Sequence, residues 1–324
     1  MSNGKLDPST LKSMEPPTSN FTSVKHRTSY PAIDPTRPEL SQAGRTVLIT
    51  GGGTNIGKAI AQGFGTAHAK KVIIVSRNKA VLDAAVKELE AHAASIKSPT
   101  AYASHAVDVS KDAEVIALWE GFAAEGTTID VLVLNAAMFS EAKLLHELGI
   151  DRLWQEFEVN VKGPLHFAEK FRKQADFDKS PKVLLNVTTA AIHMLQNPVV
   201  LSRPSYSLTK STATYALHQI ADTVKPEQLQ VLSFHPGMLF GEGWKAFGIT
   251  EDMLPFDSLD LPGSFAVWAS SPEAQFLHGR YVVVDWDVTE LATGENKKNL
   301  EENPDYLRLA IVGIRGTNRD PAYK

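Results

Sequence analysis

Cysteine is missing altogether from the 324 residues. That excludes disulfides, thiolate catalysis and cysteine-ligated metals together. The ten histidines show no H-x-x-x-H pairing, so no zinc site is expected. No apolar run approaches the ~20 residues that a membrane span needs, and no apolar h-region stands near the N-terminus. Neither a basic stripe nor an arginine run marks a nucleic-acid surface, and the net charge of −4 is mild. The end, Pro321-Ala322-Tyr323-Lys324, carries no peroxisomal or retention signal. What these absences leave is the expectation of a cytoplasmic protein, without membrane, metal or nucleic acid.

Residues 1–44 are polar and rich in proline, with Pro16, Pro17, Pro31, Pro35 and Pro38. Proline removes donors and holds its neighbour extended, so this stretch reads as an arm, disordered over 1–20. Tyr30, Pro31, Ile33, Pro35 and Leu40 are expected to lay a short extended strip on the body. At Arg45 the character changes. Apolar runs at Thr46–Thr50, Val72–Ser76, Ala101–Val107, Val131–Asn135, Lys182–Val187, Val231–His235 and Tyr281–Asp285 read as strands. Helical spacing lies between them: after Ile56, from Lys79, at Asp112–Phe122, at about Asp151–Gln174 and around Ser205–Thr223. Short continuous apolar runs alternating with helices predict an α/β fold, a doubly wound parallel sheet in one domain. The domain covers 45–288, and a C-terminal extension, 289–324, ends in an apolar stretch that includes Tyr306, Leu307, Leu309, Ile311, Val312 and Ile314. Ligands of such a sheet bind at the C-terminal ends of its strands.

Two patterns stand at those ends. Gly51, Gly52, Gly53 and Gly57 turn the first strand into the first helix. Glycine there permits a tight turn and close backbone approach to a pyrophosphate, and the helix N-terminus adds N–H donors. The second strand ends Ser76-Arg77-Asn78, without the carboxylate that usually holds a ribose 2′-hydroxyl. Arg77 offers instead a planar cation suited to the 2′-phosphate of NADP. Far downstream, Tyr206 and Lys210 sit four apart on a helix and so share a face. An ammonium near a phenol favours the phenolate, so Lys210 is expected to lower the pKa of Tyr206 into a range useful for proton transfer.

Glycine turn, Arg77 and Y-x-x-x-K in this order resemble the short-chain dehydrogenase/reductase family, over about residues 45–288. The arm, with Ser29-Tyr30-Pro31 and Pro35-Thr36-Arg37-Pro38, is similar to that of fungal members linked to secondary metabolism. The resemblance implies a Rossmann-type fold and an NADP(H) site formed by Gly51, Gly53, Thr54, Asn55, Ile56, Arg77, Asp108, Val109, Asn135, Lys210, Pro236, Gly237 and Leu239. Asp108 would hold the adenine, and Asn135 would support the central sheet and approach a ribose. It also implies a catalytic set: Tyr206 as proton donor, Lys210 on the nicotinamide ribose, Asn160 anchoring a relay water, and Thr189 holding the substrate oxygen, with Thr188 as second candidate. Asn55, Ala137 and Gly241 replace residues the family prefers around its cofactor.

The expected reaction is reduction of a ketone or aldehyde by NADPH, in a homodimer or homotetramer. Met238 to Leu261 would be the substrate lid, and its Phe240, Trp244, Phe247, Met253 and Phe256 suit either a bulky apolar substrate or packing of the lid itself. Two other readings use the same residues: a non-redox isomerase, dehydratase or cyclase with Tyr206 as general acid–base, and an NADPH-binding regulator.

Overall fold

A computed structural model of the chain describes residues 21–245 and 248–311. Its centre is a sheet of seven strands: β1 (Thr46–Thr50), β2 (Lys71–Ser76), β3 (Ala101–Ala106), β4 (Val131–Leu134), β5 (Lys182–Val187), β6 (Leu229–His235) and β7 (Arg280–Val283). Every neighbouring pair is parallel, in the order β3-β2-β1-β4-β5-β6-β7. The order reverses between β1 and β4, which opens a crevice at their C-terminal ends. Strand period 2 divides the core. Val47 and Ile49 face one layer and Leu48 the other, so both sides of the sheet are covered by apolar side chains.

The main helices are α1 (Asn55–Thr66), α2 (Lys79–Ser95), α3 (Asp112–Ala124), α4 (Ile150–Phe157), α5 (Gly163–Lys173), α6 (Pro204–Ala221), α7 (Asp260–Ala269) and α8 (Gly294–Glu302). On one face, α1 crosses α7 backbone to backbone. A Cβ on Gly63 would lie 2.6 Å from the Gly263 carbonyl oxygen, so glycine is what allows this approach. The long helix expected from about Asp151 to Gln174 is interrupted. A π turn, Glu158–Lys162, stands between α4 and α5 and carries Asn160. Such turns are rare and concentrate at functional sites.

The arm does more than the sequence suggested. Its expected extended strip is instead two 3₁₀ turns, Pro31–Ile33 and Pro38–Leu40, each with proline at its start, where the fixed φ suits a helical turn. Ile33 and Leu40 are fully buried, and Phe21 stacks on Trp286 at 4.2 Å between centroids. Residues 1–20, where disorder was expected, lie outside the described residues, as do Val312 and Ile314 of the tail and Phe247 of the lid. At the other end, Leu300 is buried, and the Tyr281 amide donates to the Leu307 carbonyl at 2.8 Å beside edge strand β7. Ile33→Ala is therefore expected to destabilise the whole domain by about 2–5 kcal/mol in urea unfolding, as for a core position. A merely decorative arm would leave the midpoint unchanged.

Candidate active site

The crevice at the switch point is a cavity of about 700 Å³. Its floor is the glycine turn. Gly51 takes φ +67°, and a Cβ there would lie 2.8 Å from Asn135 Nδ2 and 2.9 Å from Ala136 Cα. Asn55, where the family pattern has glycine, takes φ +42°; asparagine is among the side chains that tolerate this left-handed region. Asn135 ties the turn to the sheet: its Nδ2 donates to the Thr50 and Gly51 carbonyls at 3.0 and 3.1 Å. Thr50 Oγ1 in turn accepts from the Asn135 and Ala136 amides. Thr54, at the N-cap of α1, makes no side-chain cap bond, and the first turn of α1 faces the cavity.

Beside the turn, Arg77 is exposed at the end of β2 and lines the same cavity. Asp108 and Val109 line it from beyond β3. Burial pushes the Asp108 carboxyl up. Hydrogen bonds from the Ser110 hydroxyl and amide, and the charges of Arg77 and Lys111, outweigh this and hold it below its ordinary range. Of the other residues expected around a cofactor, Thr54, Ile56, Lys210 and Pro236 are in the wall. Gly53, Gly237 and Leu239 are not. A Cβ on Gly53 would face Val81, and Gly237, at φ +95°, packs against the Asp257 carboxylate.

The far end of the cavity holds Tyr206 and Lys210 on α6. Lys210 is buried, and its Nζ donates to the Val187 carbonyl at 2.6 Å. Desolvation lowers its pKa to about 8. Tyr206 lies under Phe139, ring on ring at 4.1 Å and 21°. Its phenol runs against the expectation that Lys210 lowers its pKa. Burial, and then the charge of Glu156, push it up. The phenolate's lost hydration outweighs the attraction of an ammonium already spent on a strand carbonyl.

Asn160 is fully buried and outside the wall. Its amide is engaged at both ends: Oδ1 accepts from the Met138 amide at 2.7 Å, and Nδ2 donates to the Met138 carbonyl at 2.9 Å and to Thr209 Oγ1 at 3.1 Å. The two threonines divide. Thr188 is in the wall, but its hydroxyl is shared with Thr214 at 2.9 Å. Thr189 stands one residue further, with Oγ1 accepting from the Ala191 amide. Sequence reading missed Met138, Phe139 and Arg152, which complete the wall near Tyr206. An exposed phenylalanine after the fourth strand was the one available signal.

The lid region is mostly packed on itself. Trp244, Leu254, Phe256 and Val199 surround the buried Ile249, and Phe240 lies 5.2 Å from Phe256. Among the described residues no group of three or more histidines, aspartates or glutamates could hold a metal, and no helix is long and apolar enough to cross a membrane.

The family profile described as short chain dehydrogenase matches residues 45–248. The chain belongs to the short-chain dehydrogenase/reductase family. Membership implies an oxidoreductase working between alcohols and carbonyls with a nicotinamide cofactor. Among its relatives, the short chain dehydrogenase/reductase AacuD of Aspergillus aculeatus is 29% identical, over 90% of this chain and 96% of its own length. A short chain dehydrogenase/reductase of Claviceps purpurea is 32% identical, over 93% and 96%. These relatives are fungal, as the arm's resemblance implied. Among solved structures, the fold is shared with the Pseudomonas aeruginosa RhlG/NADP active-site complex, at TM-score 0.67 and 19% identity over 77% of this chain and 98% of that one. It is shared equally with a 3-oxoacyl-[acyl-carrier protein] reductase of Brucella melitensis, at TM-score 0.67 and 22% identity over 80% and 96%.

Proposed function

We propose that this short-chain dehydrogenase/reductase is an NADPH-dependent reductase of a ketone or aldehyde on a bulky apolar molecule, with Tyr206 as proton donor. One observation carries the reading: a single cavity joins the glycine turn, Arg77 and Asp108 to Tyr206 and Lys210. The cradle fits a dinucleotide, because Gly51 and Asn55 hold left-handed backbone where a pyrophosphate would approach the first turn of α1. Bound there, NADPH supplies a hydride to the carbonyl carbon.

The chain's own residues do the rest. Arg77 would hold the 2′-phosphate, Asp108 the adenine and Lys210 the nicotinamide ribose. Tyr206, a neutral phenol half-buried in the cavity wall, gives its proton to the developing alkoxide. Thr189 holds the substrate oxygen. Its bond to Ala191 uses a lone pair and leaves the hydroxyl proton to donate. The Asn160 side chain is buried outside the wall with both N–H donors given to Met138 and Thr209, so its part in anchoring a relay water would fall to its backbone in the π turn. Phe139, Met138, Val159 and Val187 give the reacting end an apolar wall, which favours a bulky, poorly soluble substrate of the secondary-metabolite kind. Exposed Ile150 and Trp154 on α4, with Leu208 and Tyr215 on α6, support a homodimer or homotetramer, checked by sedimentation.

The test is incubation with NADPH and a panel of bulky ketones, followed at the reduced-nicotinamide absorbance band. Conversion with loss of that band supports reduction. Conversion without it favours the non-redox acid–base enzyme, and tight NADPH binding without conversion favours a regulator. Cofactor choice is tested separately. Arg77→Ala is expected to weaken NADPH binding by about 10–100-fold, the loss of a charge-assisted pair, and to leave NADH binding unchanged. Equal weakening of both cofactors would remove Arg77 from the 2′-phosphate.

A further inference from the structure

Residues 23–29 of the arm make two sets of bonds, one to the body of the domain and one to the lid. On the body side, the Glu290 carboxylate of the short helix Val288–Leu291 accepts from the Ser23 and Val24 amides, each at 2.8 Å. The His26 amide donates to the Asp285 carbonyl at 2.9 Å, and the His26 ring meets the Asp287 carboxylate at 2.8 Å. On the lid side, the Ser258 amide donates to the Arg27 carbonyl at 2.7 Å. Arg27 Nη1 donates to the Pro255 carbonyl and stands 3.6 Å from the Asp257 carboxylate. Thr28 Oγ1 and the Ser29 amide both donate to Asp260 Oδ2, at 2.9 and 3.3 Å.

Asp257 is where this bridge meets the cavity. Its Oδ2 accepts from the Met238 amide at 2.7 Å, and its own amide donates to the Met238 carbonyl at 2.8 Å. The two ends of the lid are thereby clasped together. A Cβ on Gly237 would lie 2.7 Å from the same Oδ2, and the residue before it, Pro236, is in the cavity wall. A carboxylate whose side chain is only 7% exposed needs such donors and a cation to hold its charge. On its far side, around Ile249, the lid meets Val199 of the short helix Pro198–Ser202, which leads into α6 and Tyr206. The lid thus runs from the end of β6 to the entry of α6, across the reacting end of the cavity.

We propose that residues 23–29 are a strap that holds the lid over the substrate, with Arg27 and Asp257 as positioning residues of the reaction. The inference rests on the reductase reading given above. Asp257 fixes the point where the wall at Pro236 passes into the lid, and Arg27 fixes Asp257 and Pro255 from outside. A lid without this brace spends part of its time open, and a bulky ketone that touches it then binds less well in proportion. A small ketone held at Tyr206 alone does not reach the lid. The glycine turn and Arg77 lie at the other end of the cavity, so cofactor binding is spared.

Arg27→Met removes the guanidinium and keeps an apolar stem, at a side chain exposed enough that folding is not at stake. In hydrogen–deuterium exchange of the full chain, peptides carrying the Met238 and Asp257 amides should exchange about 3–10-fold faster, with those of β1 and β4 unchanged. KM for a bulky ketone is expected to rise by about the same factor at nearly constant kcat. KM for a small ketone and Kd for NADPH should keep their wild-type values. Arg27→Lys, which returns a cation beside Asp257, should recover part of the loss. Asp257→Asn keeps an acceptor for the Met238 amide and loses the charge that Arg27 faces, so adding Arg27→Met to it should do little more. Unchanged lid exchange in Arg27→Met would overturn the strap, as would exchange that quickens equally in β1 and β4. Faster lid exchange with every KM unmoved would overturn the part of Arg27 in the reaction. If the wild-type protein reduces no ketone, the proposed function fails, and lid exchange still decides the strap.

Discussion

Tyr206→Phe is expected to cut kcat/KM for ketone reduction by about 10²–10⁴-fold, the usual worth of a positioned general acid, with NADPH binding unchanged. The substitution is clean. Phenylalanine keeps the ring that stacks on Phe139, and no hydrogen bond among the described residues uses the Tyr206 hydroxyl. What is lost is therefore a proton and not a prop. Lys210 stays bonded to the Val187 carbonyl, so its place beside the cofactor cradle is undisturbed. Steady-state kinetics and a fluorescence titration of NADPH on the same preparation separate the two effects. Turnover within a few-fold of wild type would remove Tyr206 as proton donor, and a lost NADPH affinity would show that the hydroxyl holds the site together.

The gathering of the proposed cofactor residues in one cavity was legible because they are local in sequence. Gly51 to Gly57 form one turn, Arg77 ends one strand, and Asp108 follows the next; a strand–turn–helix pattern places each without knowledge of the whole. The seven strands were legible for the same reason, as runs of apolar residues at short spacing. Phe139, Arg152 and Glu156 were not, since only tertiary folding brings the loop after β4 and helix α4 against α6. Glu156 sits in Trp154-Gln155-Glu156-Phe157-Glu158, where nothing local tells the buried glutamate from its neighbour. The π turn is equally silent, because side-chain spacing across Asn160 still looks helical. In the arm, Ile33 and Leu40 were rightly read as apolar anchors, while the proline before each anchor was read as extended when it starts a 3₁₀ turn. The aromatic residues of the lid were ambiguous for a physical reason: burying an apolar side chain is favourable against a substrate or against another lid residue. Here Trp244, Leu254 and Phe256 meet around Ile249.

The second large effect concerns the glycine turn, and Gly57→Ala is the sharpest probe of it. A Cβ at Gly57 would overlap the Gly51 carbonyl oxygen and lie 2.7 Å from Asn135 Nδ2. Neither neighbour is the free end of a flexible side chain. The carbonyl belongs to backbone held at φ +67°, and Asn135 is fixed by its bonds to the Thr50 and Gly51 carbonyls. Relief must come from the turn moving away from α1, which opens the cradle where the dinucleotide would lie. Overpacking of this kind costs about 1–3 kcal/mol. Because the strain falls on the binding loop, about the same amount should appear in cofactor affinity, roughly a 10–100-fold rise in Kd for NADPH and for NADH alike. That equality distinguishes it from Arg77→Ala, whose loss is confined to NADPH. Thermal unfolding without cofactor reports the strain, and titration with each cofactor reports the opened cradle. Wild-type affinity for both would mean that the turn gives way without touching the site, and that the cradle is set by Asn55 and Asn135 alone.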